Sequence, residues 1–165
     1  MPIGMTVSIL VTGVGGSLEA SFIDPHYGLW HALRGAFVSD RDDHSFIGLY
    51  TPGQPIRYLA PSTGRDESPA WSRDGKWISY SGSQSGHLNL YRRLANGMGE
   101  EERLLEGDNH PATATDWSPD GSQVLYSLGD LSAQGELWLL PLSGNRKPRL
   151  VLRNKSICKE GKFSP

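Results

Sequence analysis

A block of sequence returns after 46 residues: Trp71-Ser72-Arg73-Asp74-Gly75 recurs as Trp117-Ser118-Pro119-Asp120-Gly121. Phe163-Ser164-Pro165 stands one further period on, where an Asp-Gly would follow, and Tyr80 and Tyr126 keep the same interval. A period of this length marks stacked supersecondary units, because one unit cannot bury its apolar face alone and must lean on its copies. Behind each motif comes a short apolar run (Trp77-Ile78-Ser79-Tyr80; Val124-Leu125-Tyr126), then a glycine turn and a second run (Leu88-Asn89-Leu90-Tyr91; Leu137-Trp138-Leu139-Leu140). A further turn (Asn96-Gly97; Ser143-Gly144) leads to a third run (Arg103-Leu104-Leu105; Leu150-Val151-Leu152). Counting the segment that ends in the Trp as the first strand, each unit is a four-stranded antiparallel meander.

The motif itself has a turn chemistry. Proline presets φ at the second position of a type I turn, Asp suits the third, and Gly accepts the positive φ that follows. Arg73 replaces the proline in one copy, which a type I turn tolerates. The aromatic ahead of the turn has the size to wedge between neighbouring sheets. A looser copy precedes these two: Ala36-Phe37-Val38-Ser39 and Ile47-Gly48-Leu49-Tyr50 match the first and second runs, and Ile56-Arg57-Tyr58-Leu59 closes the unit, although its Trp30 is followed by no Asp-Gly. The sequence therefore predicts an all-β chain, a partial β-propeller of about three four-stranded antiparallel blades. Blades are expected at 26–63, 66–108 and 112–154, with the start of a further blade at 159–165, behind a leader segment of uncertain structure at 1–25. A β-sandwich would not explain a strict repeat of turn and aromatic. An incomplete ring exposes two sheet faces, so the isolated chain is expected to associate.

Composition closes other routes. With 20 Gly and 11 Pro, turns are frequent and long helices disfavoured, while 5 Trp, 6 Tyr and 4 Phe exclude simple disorder. A net charge of -2 argues against a dedicated nucleic-acid binder, and the lone Cys158 excludes an intramolecular disulfide framework or a Cys-rich zinc site. Residues 146–162 hold seven basic groups against one acid, Glu160, but they alternate with Leu150, Val151 and Leu152 and read as a solvated strand face. No apolar run approaches the ~20 residues of a membrane span. The apolar Met5–Val11 stretch lacks the charged start of an export signal, since Arg34 is the first Lys or Arg.

The repeat Trp-Ser-Pro-Asp-Gly, followed by an apolar strand and Leu-x-Leu-Tyr, resembles that of TolB-like, WD40-like propellers (the PD40 repeat) over about residues 36–165. Phe37-Val38-Ser39-Asp40-Arg41-Asp42, with Ile56–Ser62 and Arg65–Trp71, is similar to the N-terminal propeller of prolyl oligopeptidase and dipeptidyl peptidase proteins. Leu90-Tyr91, Asp116–Gly121 and Leu137–Leu142 resemble propellers fused to bacterial serine/threonine kinases. The resemblance implies a non-catalytic module that binds a protein or peptide at a propeller face, and a fragment of a larger propeller protein. The alternatives it leaves are the substrate-gating portion of a serine peptidase without its hydrolase domain, and a kinase sensor. It implies no cofactor, and as partners the remaining blades or a second copy completing the ring. A periplasmic location goes with the TolB-like relatives, a cytoplasmic one with a chain complete as it stands.

Other constellations fall short. Gly82-Ser83-Gln84-Ser85-Gly86 puts glutamine where a nucleophile elbow needs serine, and no His-Arg-Asp kinase loop occurs. Gly13-Val14-Gly15-Gly16 starts like a dinucleotide-binding turn, but Leu18 takes the third glycine position and Pro25 interrupts the helix that should follow. Asp40, Asp42, Asp43 and His44 lack the Gly and Glu of a calcium loop, and His26, His31, His87 and His110 lack metal spacing. Asn154-Lys155-Ser156 is a glycosylation acceptor only in a eukaryotic secretory pathway. The residues that carry the reading are those of the repeat motif: Trp71, Ser72, Asp74, Gly75, Trp117, Ser118, Pro119, Asp120, Gly121, Phe163, Ser164 and Pro165. No catalytic, cofactor or metal residue is assigned.

Overall fold

The computed structural model describes residues 5–13, 16–24, 34–41, 44–51, 53–59, 64–105, 111–128, 135–154 and 161–163. Of the residues singled out above, Val14, Gly15, Pro25, His26, Trp30, His31, Asp42, Asp43, His110, Lys155, Ser156, Cys158, Glu160, Ser164 and Pro165 lie outside the described residues. Every described element is a strand, and consecutive strands pair antiparallel in three sheets. Sheet 1 holds β1 (Met5–Gly13), β2 (Gly16–Asp24), β3 (Arg34–Arg41), β4 (His44–Tyr50) and β5 (Arg57–Tyr58) in that order. Sheet 2 holds β6 (Asp66–Trp71), β7 (Trp77–Gly82), β8 (Asn89–Leu94) and β9 (Glu102–Arg103). Sheet 3 holds β10 (Ala112–Trp117), β11 (Gln123–Leu128), β12 (Gly135–Pro141) and β13 (Arg149–Asn154). The architecture is an all-β partial propeller of three meanders.

The first sheet differs from its siblings. Residues that the sequence leaves as a leader form β1 and β2, and β2 pairs with β3 in the place that β6 and β10 take in the other sheets. Gly13 and Gly16 form the last pair of the antiparallel β1–β2 register, and among the described residues no helix follows them.

Strand alternation sorts the side chains into two faces. Ala36, Val38, Ile47, Leu49 and Leu59 of sheet 1 form one core with Trp71, Ile78, Tyr80 and Tyr91 of sheet 2. Ala70, Leu90, Leu104 and Leu105 of sheet 2 form a second with Trp117, Val124, Tyr126 and Leu140 of sheet 3. Each sheet therefore turns small and aliphatic residues toward its successor and aromatic ones toward its predecessor. The innermost strands bend to follow this packing. Two residues of β6, Ser68 and Pro69, stand opposite Tyr80 alone, and Ser68 takes φ 52; in β10 Thr115 is the extra residue. Pro69 cannot donate to a ladder, and a bulge is where a strand tolerates it.

Gly75 and Gly121 sit at φ 68 and φ 71, immediately after the repeated turn. Nothing lies within 4 Å of a Cβ built on Gly121, so a side chain there would meet strain and not collision. Replacing either glycine with Val is expected to destabilise the domain by about 1 kcal/mol or more, read as a lower midpoint in chemical denaturation. Unchanged midpoints in both variants would dissociate the turn from the stability of the fold.

Candidate functional site

The two complete copies of the motif build the same latch. Gly75 N–H donates to Ser72 O at 2.9 Å and Gly121 N–H to Ser118 O at 2.9 Å, closing the turns. The serine then bridges turn and strand: Ser72 Oγ donates to Asp74 Oδ1 at 2.6 Å and accepts from Trp77 N–H at 2.9 Å. Ser118 Oγ does the same toward Asp120 Oδ1 (2.6 Å) and Gln123 N–H (2.9 Å). Arg73 and Pro119 occupy equivalent places without altering these bonds. The hydrogen bond from the Ser118 hydroxyl, joined by Ser122 N–H and Oγ, holds the Asp120 carboxyl down at about 2. Partial burial pushes Asp74 upward, but the Ser72 hydroxyl and the N–H and charge of Lys76 outweigh it and leave that carboxyl below its ordinary value. The sequence showed these residues as turn formers; the serine's second bond was not visible in it.

The Trp ahead of each latch reaches back to the preceding sheet. Trp117 Nε1–H donates to Ala70 O at 3.1 Å and Ser79 Oγ at 2.9 Å, and the side chain is 1% exposed. Trp71 is equally deep against sheet 1, yet its Nε1–H has no acceptor. Pairing explains the difference. Ser79 pairs with Ala70 in sheet 2, and the corresponding pair in sheet 1 is Ala36 with Ser21, so a methyl stands where the hydroxyl should be.

Arginines tie the outer rims together. Arg57 Nη1 and Nη2 donate to the carbonyls of Asn96 (2.6 Å) and Ala95 (2.5 Å), joining sheets 1 and 2. Arg146, at φ 47 in the β12–β13 turn, reaches Glu102 of sheet 2 at 2.5 Å, while Arg92 binds the other Glu102 oxygen at 2.7 Å and lies 4.4 Å over the Trp77 ring. Desolvation pushes Glu102 up, and the two guanidinium groups more than offset it, leaving its carboxyl below the ordinary value. Between sheets 1 and 2 a polar group is closed off: Tyr80 donates to Glu101, and Gln84 Nε2–H to Asp66 Oδ1 at 2.8 Å. Burial, then the Glu101 hydrogen bond, pushes the Tyr80 hydroxyl far up, so it stays protonated.

Among the described residues a cleft of about 360 Å³ opens at the β4–β5 loop, lined by Leu49, Thr51, Gln54, Pro55, Ile56 and Arg57. It mixes an apolar floor with an amide and lies beside the Arg57 tie to sheet 2. At the far end, residues 161–163 seat on sheet 3: Lys162 Nζ donates to Thr115 O at 2.9 Å and Phe163 N–H to Asp116 Oδ2 at 2.8 Å. Among the described residues no group of three or more His, Cys, Asp or Glu side chains could hold a metal ion, and no helix is long and apolar enough to cross a membrane.

Comparison with solved structures gives the fold a name. The chain is similar to the putative TolB of Agrobacterium tumefaciens (TM-score 0.69, 17% identity, 97% of this chain and 66% of that one). It is also similar to TolB of Acinetobacter baumannii (TM-score 0.67, 15% identity, 98% of this chain and 50% of that one). A prolyl endopeptidase structure matches at TM-score 0.46 and 15% identity over 88% of this chain and 27% of that one. The fold is that of a TolB-like propeller, and the chain spans 66% and 50% of the two TolB chains. No family model matches it, and no curated protein does.

Two outcomes test the latch and the tether. Because the folded carboxyl of Asp120 titrates at about 2, below an unfolded value near 3.9, its contribution to stability is complete above that unfolded value and is lost as pH falls through about 2. Ser118→Ala is expected to move the Asp120 titration, followed by carboxyl-carbon NMR, back toward the ordinary range; an unmoved titration would remove the serine as its cause. Ala36→Ser is expected to raise stability by about 1 kcal/mol by giving the Trp71 N–H an acceptor. The gain should vanish in a Trp71→Phe background, and its persistence there would show another origin.

Proposed function

We propose that this chain is a non-catalytic propeller module that binds a protein or peptide through its inter-sheet loops. The observation that carries the reading is the cleft at the β4–β5 loop, which sits on a rigid scaffold beside the junction of sheets 1 and 2. Loops held by such a scaffold are where binding residues gather. The fitting ligand is an extended peptide that places an apolar side chain against Leu49, Pro55 and Ile56 and a backbone amide against Gln54. Among the described residues the motif serines and aspartates spend their hydrogen bonds on each other, and no nucleophile is seen beside a base and an orienting acid. The reading extends to a fragment of a larger propeller protein, with the remaining blades or a second copy as structural partners. Its proposed compartment is the periplasm, which the TolB-like resemblance brings with it.

A fluorescence-anisotropy screen against extended apolar peptides is the direct test. Thr51→Trp, which fills the cleft with an indole, should weaken binding at least ten-fold, while chromogenic peptidase, esterase and kinase assays stay at background. Binding indifferent to Thr51→Trp, or a turnover abolished by replacing a single Ser or His, would overturn the reading.

A further inference from the structure

One position recurs in all three sheets and can be compared directly. On β4, β8 and β12 a residue faces away from the preceding sheet and pairs with a leucine at the outer edge of its own sheet. Leu59 N–H donates to Ile47 O and Leu104 N–H to Leu90 O, both at 2.8 Å, and Leu152 pairs with Leu137. The outer leucine is 1% exposed at Leu59, 5% at Leu104 and 46% at Leu152. The difference is the cover: Leu59 lies in the core shared with sheet 2 and Leu104 in the core shared with sheet 3. On sheet 3 only the inner half has a cover. A Cβ on Gly161 would stand 2.6 Å from Leu125 Cδ2 and 3.3 Å from Leu137 Cδ1, so residues 161–163 lie close over these side chains. At the outer edge of that face Leu152 is 46% exposed, and Val151, the unpaired residue beside it, is 54% exposed.

What covers this position in the other two junctions is the aromatic face of the next sheet, and an aromatic face without a predecessor exists on the same chain. On sheet 1, Phe37, Phe46, Tyr50 and Tyr58 alternate with the residues that face sheet 2. At Gly48, the register position of Tyr91 in sheet 2, the neighbouring Phe37 lays its ring over the backbone and keeps the face aromatic. Phe46 packs edge-on against Tyr58 at 6.3 Å, and Tyr50 and Tyr58 remain 42% and 40% exposed.

We infer that a second copy of this chain docks head to tail, the outer aromatic face of its sheet 1 covering the outer aliphatic edge of sheet 3. The contact is heterologous, joining two different surfaces, and therefore either closes into a ring or propagates. Two copies bring six sheets, inside the four to eight with which propellers close, so the ring of two is the assembly it predicts. This deepens the partner part of the proposed function and rests on the propeller fold, but uses neither the cleft nor its ligand.

Sedimentation velocity on the full chain tests it. The wild type should sediment at twice the chain mass, and Leu152→Glu and Tyr58→Glu should each be monomeric with a cooperative melt. Each variant keeps one intact surface, so an equimolar mixture should recover a dimer. A monomeric wild type, dimers that survive either change, or a mixture that stays monomeric would overturn the inference; dimers that survive one change and not the other would mark a contact between like surfaces. If a glutamate variant fails to melt cooperatively, Leu152→Ala and Tyr58→Ala decide by the same mixing. Peptide binding blocked by Thr51→Trp separates the two ideas: its retention in a monomeric wild type sinks the assembly alone, and its absence in a proven dimer sinks the cleft alone.

Discussion

Among the described residues the backbone joins one sheet to the next only by an isolated bridge between Ser45 and Arg65 and a bond from Ala112 N–H to Leu88 O at 3.2 Å, so the architecture depends on the packing of an aromatic face into a face of small and aliphatic side chains. Trp117, Tyr126 and Val124 enter the space over Ala70 and Leu90, and Trp71, Tyr80 and Ile78 enter that over Val38 and Ile47. Complete burial of side chains of this kind stabilises by roughly 2 kcal/mol each, but apolar contact has no direction and would let the sheets slide. The Trp117 indole supplies direction: by donating to Ala70 O and Ser79 Oγ it fixes where sheet 3 sits along sheet 2. Ala114 N–H, donating to Ser81 Oγ at 3.3 Å, adds a second point, and two points define an angle.

The first junction reaches the same arrangement with weaker means. With Ala36 in the place of Ser79, the Trp71 N–H is left without an acceptor, and an unpaired buried donor costs on the order of 1–3 kcal/mol. Ser45 Oγ compensates in part, donating to Asp66 O at 2.9 Å and accepting from Asp66 N–H at 3.0 Å, as do the two Arg57 bonds at the rim. Sheet 1 is thus located by its outer strands, and sheet 3 by its inner ones.

This division explains what the sequence could show. The turn and its aromatic are encoded locally, in five consecutive residues, and the spacing of two copies suffices to read them and the repeated antiparallel meander behind them. The innermost strand of sheet 1 was harder. Attention falls on Trp30, the aromatic nearest the expected position, whereas Leu18-Glu19-Ala20-Ser21-Phe22 carries the period-2 pattern of a strand and no Trp-Ser-x-Asp-Gly. The inter-sheet bonds were not legible at all. Trp117 and Ser79 lie 38 residues apart, and nothing near either residue specifies the other. The same holds for Glu102 and Arg146, 44 residues apart, the arginine being one of the basic residues read as a solvated strand face.

The accounting of hydrogen bonds also limits where function can reside. Asp74 and Asp120 are the acidic residues the repeat presents most conspicuously, and each takes bonds from its own turn serine and from a backbone N–H two residues on. A carboxylate so engaged, and held at low pKa, is a poor base. Glu102 is shared by two arginines, and Tyr80, Gln84, Asp66 and Glu101 close on one another. These polar residues are engaged in holding the scaffold, whereas the β4–β5 loop with its cleft and the outer edges of sheets 1 and 3 keep apolar side chains exposed among the described residues.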